Sequence, residues 1–89
     1  MCNFSQLTDH LRHGREIEFA YLGRQYSITN HSGFWYLCDD TDHVLLSTLV
    51  PFTEKDLLVA NTASATLQGL TIAHIFDLGL YDPESLCIL

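Results

Sequence analysis

The stretch Glu16-Ile17-Glu18-Phe19-Ala20-Tyr21-Leu22-Gly23-Arg24-Gln25-Tyr26-Ser27-Ile28-Thr29 decides the fold. Ile17, Phe19 and Tyr21 alternate with Glu16, Glu18 and Ala20, which is the two-residue period of a strand buried on one face. Tyr26 and Ile28 alternate in the same way with Gln25, Ser27 and Thr29. Leu22-Gly23 leaves room only for a tight turn between the two runs, so they form an antiparallel hairpin. Gly23 is expected to supply the positive φ of a G1-bulge turn.

Downstream of the hairpin, Asn30-His31-Ser32-Gly33 is a turn cluster, and Phe34-Trp35-Tyr36-Leu37-Cys38 follows as a third strand. Apolar on both faces, this strand is expected in the middle of the sheet. Asp39-Asp40-Thr41-Asp42 makes the next turn. Residues 43–49 fit a fourth strand or a short buried helix, and turn signals on both sides favour the strand.

Upstream, Asn3 or Ser5 can cap a helix in which Phe4, Leu7 and Leu11 recur at helical spacing, with Gly14 closing it. Arg12, His13 and Arg15 complement its C-terminal dipole. Towards the end of the chain, Thr53 with Asp56 three residues later marks a helix start, and Asn61 to Ser64 reads as a loop. Thr71 can cap a short helix with Ile72, Ile75 and Phe76 on one face and Gly79 as its stop. Asp82-Pro83-Glu84 reads as one more helix start. The order predicts one domain over residues 1–89 of the α+β class. Its core is an antiparallel three- to four-stranded β-meander, with an N-terminal helix and C-terminal short helices packed on one face.

The stretch Gly14-Arg15-Glu16-Ile17-Glu18-Phe19, the hairpin from Tyr21 to Ile28 and the run Trp35-Tyr36-Leu37-Cys38 resemble short uncharacterised proteins of Gram-positive bacteria and their phages. The likeness covers about the first half of the chain. Those proteins are richer in Lys and Glu and carry Asn where Leu22 stands here. The resemblance implies no activity and no site residues.

Composition narrows the function classes. Hydrophobic residues are 47% of the 89 and charged residues 17%, against about 25% charged in an average domain. A chain this short buries only about 60% of the surface its unfolded form exposes, so apolar surface is expected to remain for a partner or a second copy. The formal charge of −7 is uneven. Residues 1–24 balance, whereas residues 25–89 set Lys55 alone against Asp39, Asp40, Asp42, Glu54, Asp56, Asp77, Asp82 and Glu84. Direct nucleic-acid binding is disfavoured because it releases counterions to Lys and Arg, and four cations make no patch. The same shortage disfavours anionic membranes. No run approaches a membrane span, the start lacks a signal-peptide pattern, and three cysteines without C-x-x-C spacing suit a reducing cytoplasm.

His10 and His13 share a helix face, and Cys38 lies near His43, yet zinc sites need ligand pairs in both halves. A calcium loop starting at Asp40 reaches Pro51 at its twelfth position, and one starting at Asp39 reaches Val50, where Glu is required. Cys38 with His43 is the one thiol pair to consider, and acidic surroundings raise a thiol pKa. No phosphate-binding glycine loop or nucleophile elbow is present. The sequence therefore predicts no enzyme and no cofactor. It predicts an acidic protein-binding module, such as an inhibitor or immunity-type protein from a phage or other mobile element. Its partner would be a basic surface, for instance that of a nucleic-acid-binding protein. A structural or regulatory homodimer is the alternative, and a metal- or thiol-dependent site at Cys38/His43 the third reading. The interface candidates are Trp35, Asp39, Asp40, Asp42, Glu54, Asp56, Leu86, Ile88 and Leu89.

Overall fold

Helix α1 (Phe4–Arg12) begins with a reciprocal cap. The Asn3 side chain accepts from the Gln6 N–H at 2.9 Å, and Gln6 Oε1 accepts from the Asn3 N–H at 3.0 Å. Two orphan donors of the first turn are thereby satisfied. The computed structural model describes residues 2–51 and 53–89. Leu7 and Leu11 of α1 are fully buried, and Gly14, at φ 78°, carries the chain out of the helix.

Strands β1 (Ile17–Tyr21), β2 (Arg24–His31), β3 (Phe34–Asp39) and β4 (Val44–Pro51) form the meander in chain order. The first hairpin is tighter than a G1-bulge turn. Tyr21 pairs directly with Arg24, and the two residues between them both have positive φ, Leu22 at 48° and Gly23 at 78°. That is the type I′ pattern, whose twist matches the flanking strands. Ser32 and Gly33 repeat it between the paired His31 and Phe34. Residues 44–51 are strand, as the flanking turns predicted.

A fifth strand corrects the C-terminal expectation. Asp82-Pro83-Glu84 opens β7 (Asp82–Ile88), which pairs antiparallel with β1 and completes the sheet order β4-β3-β2-β1-β7. Pro83 lacks an N–H, and an edge strand tolerates that loss. Pairing with β1 satisfies backbone groups of both strands and brings Leu86 and Ile88 against the core, which outweighs a local helix signal. The middle strand is therefore β2, and β3 alternates: Trp35, Leu37 and Asp39 are buried, whereas Phe34, Tyr36 and Cys38 lie on the less buried face.

Helix α2 (Lys55–Ser64) runs through the stretch Asn61–Ser64 read as a loop. Its N-cap is Glu54, whose side chain makes no cap bond, in place of the expected Thr53 cap. Burial of Leu58 and Thr62 on one side of α2 extends the helix past its weak local signals. A small hairpin, β5 (Thr66–Leu67) with β6 (Leu70–Thr71), leads into α3 (Ile72–Asp77). Thr71 caps α3 as predicted, its hydroxyl accepting from the His74 N–H at 3.2 Å.

Leu7, Leu11, Leu58, Ile72, Ile75 and Phe76 from the helices share one core with Ile17, Phe19, Tyr26, Ile28, Trp35 and Leu37 from the sheet. The helices thus cover one face of the sheet. The other face carries Glu18, Ala20, Ser27, Thr29, Tyr36, Cys38 and Leu45, by their register opposite the buried row.

Candidate protein-binding surface

The acidic turn between β3 and β4 is built around Arg24. Its Nε donates to Asp39 Oδ2 at 2.9 Å, and its guanidinium also binds Asp42. Asp39 Oδ1 accepts from the backbone N–H groups of Thr41 at 3.0 Å and Asp42 at 3.3 Å. Burial pulls the Asp39 carboxyl upward, but the Arg24 bond and the Asp42 and Thr41 amides outweigh it and hold the group below its ordinary value. Asp40 accepts from the Ser27 hydroxyl at 3.1 Å, and Thr41 Oγ1 accepts from the Gln25 N–H at 2.7 Å. Two of the three carboxylates are therefore spent on folding the turn and neutralising one arginine.

The other sequence candidates separate. Trp35 is fully buried, with Lys55 Nζ 5.5 Å from its ring centre, so it faces the core and offers no surface to a partner. Asp56 is exposed and pairs with Arg12 at 2.8 Å, while Glu54 is exposed at the start of α2. Leu86 and Ile88 pack against the core from β7, and Leu89 is exposed with its N–H bound to Glu16 O at 2.8 Å. These three lie at the sheet edge opposite β4.

The structure adds residues that sequence reasoning passed over. Val44, Leu45 and Leu46 are consecutive on the edge strand β4 and are 47%, 54% and 43% exposed. Three successive exposed apolar residues break the polar patterning of a solvated edge. Further along, β4 is covered: Leu49 and Val50 are buried, and Asn61 Nδ2 of α2 donates to Leu49 O at 2.8 Å. Exposed Phe34 and half-buried Tyr36 stand on neighbouring β3, their rings 6.5 Å apart. The signal was present in the sequence, since an edge strand cannot bury Val44, Leu45 and Leu46 together. Strand order, which local patterns do not carry, makes β4 the edge.

Reactive groups do not converge. Desolvation raises the Cys38 thiol, and the nearby Asp40 charge raises it further, which keeps it protonated and weakly nucleophilic at neutral pH. His43 is exposed in the turn at φ 57°. The His13 ring meets the Asp9 carbonyl at 2.6 Å, whereas His10 lines a shallow depression of about 390 Å³ with Cys2, Gln6 and Asp9. Among the described residues no three His, Cys, Asp or Glu side chains form a group that could hold a metal ion. Nor is any described helix long and apolar enough to cross a membrane.

No family model matches the chain, and no curated protein or solved structure matches it either.

Proposed function

We propose that this chain is a non-catalytic protein-binding module that docks through the open end of the β4 edge. One observation carries the reading: the exposed run Val44-Leu45-Leu46 on an edge strand. Large apolar surfaces left open on a small domain are where association gains most from removing water. The test is capture by the tagged protein from its source lysate, with Leu46→Lys as the control bait. A protein retained by the wild type and lost with the variant supports the reading. Equal retention by both baits overturns it.

A finer version makes the module an acidic inhibitor or immunity-type protein, by its chemistry a blocker of a basic, nucleic-acid-binding surface. The −7 balance supports it. Its working carboxylates would be Asp40 and Glu54 together with those of β7, since Asp39 and Asp42 bind Arg24 and Asp56 binds Arg12. Binding of that kind weakens steeply with salt and with Asp40→Asn/Glu54→Gln. Salt-insensitive capture would remove the charge-driven version and leave the apolar one.

A further inference from the structure

We infer that the open face of the sheet is a second docking surface, and that its occupant is a cationic amphipathic helix of another protein. This surface goes beyond the β4-edge reading and shares only Leu45 with that edge. By register the face divides into two lanes. Over β3 and β4 stand Phe34, Tyr36 and Leu45, with Pro51 opposite Phe34 and Thr48 opposite Tyr36. Phe34 and Leu45 are exposed, and the Phe34 and Tyr36 rings lie 6.5 Å apart.

Over β1 and β7 the lane is acidic. Glu18 lies in register with Cys87 and Asp82 with Ala20, so both carboxylates belong to this face. Asp40 adds a third at the turn end, where it accepts from the Ser27 hydroxyl at 3.1 Å. Between the lanes runs the middle strand β2, on which Ser27 is 3% exposed, sunk among its neighbours. The strands flanking β2 are two spacings apart, roughly 10 Å, which matches the width of a helix. The eight residues of β2 span roughly 27 Å, the length of about 18 helical residues. A helix laid along β2 therefore sets one flank on the aromatic lane and the other on the carboxylates.

Charge selects the occupant. All four Lys and Arg of the chain lie off this face. Arg12 pairs with Asp56 between α1 and α2, and Lys55 lies over the ring of buried Trp35. Arg24 is in register with buried Tyr21 and binds Asp39 and Asp42. Arg15 precedes β1 at the parity of Ile17, its N–H on the His10 carbonyl at 3.1 Å. His31, in register with Phe34, stands at the aromatic end, away from the carboxylates. The sheet thus separates charge, with carboxylates and no Lys or Arg on the open side. A second copy docked face to face would set carboxylates against carboxylates, and nucleic acid or anionic lipid would set phosphates against them. Such like-charge contacts cost several kcal/mol and reject those occupants. A helix with Lys or Arg beside its apolar stripe satisfies both lanes at once.

Fluorescence anisotropy tests this with the full chain and a labelled Leu/Lys peptide of about 18 residues, patterned as one amphipathic helix, in about 150 mM salt. The wild type is expected to half-saturate at about 10–100 µM, and a counterpart peptide with Glu for Lys is expected not to bind. Glu18→Gln/Asp82→Asn and Phe34→Ser are each expected to weaken binding about five- to tenfold. Asp9→Asn/Asp56→Asn removes two carboxylates from α1 and α2 instead, and is expected to change binding less than about twofold. Leu46→Lys is expected to bind the peptide as the wild type does. Unchanged circular dichroism verifies that the variants fold. Three results overturn the inference: no binding by the wild type up to about 500 µM; equal weakening by the helix-side and face pairs, which marks attraction to an acidic chain at large; or binding that survives Phe34→Ser and is lost with Leu46→Lys. The β4-edge reading stands or falls separately, by capture with the Leu46→Lys bait.

Discussion

Arg24 donates from Nε to Asp39 Oδ2 at 2.9 Å, joining the start of β2 to the end of the neighbouring strand β3. The pair explains how a domain with few cations uses one of them. Asp39 is buried and needs a counter-charge, and Arg24 sits where the type I′ turn delivers it.

The first prediction concerns pH. The Asp39 carboxyl is held below its ordinary value in the folded chain, so folding binds fewer protons there than the unfolded chain does. Its contribution is complete above the unfolded value of about 3.9 and is lost as pH falls through the lower folded value. Urea midpoints measured at neutral and acid pH are expected to drop on acidification in the wild type. Asp39→Asn is expected to start lower at pH 7 and to flatten the acid limb. Arg24→Ala should do both, and Arg24→Lys should recover only part, because a single ammonium cannot reproduce the guanidinium fork between Asp39 and Asp42.

A second prediction follows from the hairpin turn. Leu22 adopts φ 48° with its side chain 64% exposed, a conformation that costs a branched residue about 1 kcal/mol and returns no buried area. Leu22→Asn is expected to raise stability by about 1 kcal/mol, since Asn tolerates the left-handed region and Asn-Gly suits a type I′ turn. Gly23→Ala is expected to lower it by about 1 kcal/mol, because φ there is 78° although nothing lies within 4 Å of the added carbon. Chemical denaturation of the two variants beside the wild type checks both signs.

Much of this architecture was legible from side-chain alternation. Ile17, Phe19, Tyr21, Tyr26 and Ile28 are all buried, and the cap at Thr71 with its Ile72, Ile75 and Phe76 face stands as read. What local patterns missed was decided by neighbours distant in sequence. The helix signal of Asp82-Pro83-Glu84 lost to the open edge of β1, where Ile88 finds Ile17. The polar stretch Asn61–Ser64 stays helical because Thr62 is buried and Asn61 reaches across to β4. The residue type of Trp35 suits an interface, yet its parity on β3 places it in the core. The surface-forming run Val44-Leu45-Leu46 became visible only once strand order was known.

The third prediction uses the single tryptophan. Trp35 is fully buried beneath Lys55, so its emission is expected to be blue-shifted and poorly quenched by iodide in the folded chain. Trp35→Ala is expected to cost about 3–5 kcal/mol through the cavity it leaves. Lys55→Ala should cost about 0.5–1 kcal/mol, the range for a cation near an aromatic face at a partly exposed site. Leu46→Lys leaves the emission maximum unchanged, which makes tryptophan fluorescence a check that interface variants retain the core.

The last prediction separates the two hydrophobic residues at the end of β7. Ile88 lies in register with the fully buried Ile17 and packs against the core, whereas Leu89 is 59% exposed. A fully buried Ile→Ala change costs about 2–5 kcal/mol, and half-burial brings the expectation for Ile88→Ala to about 1–2 kcal/mol. Leu89→Ser is expected to change stability by less than about 0.5 kcal/mol, because its main tie to the fold is a backbone bond to Glu16 that the substitution keeps. Removing residues 82–89 should be far more damaging than either substitution, since it uncovers the backbone edge of β1 together with the row Ile17, Phe19 and Tyr21. Urea denaturation followed by Trp35 fluorescence measures all three. Equal costs for Ile88→Ala and Leu89→Ser would mean that β7 is held by backbone pairing alone, contrary to the packing described.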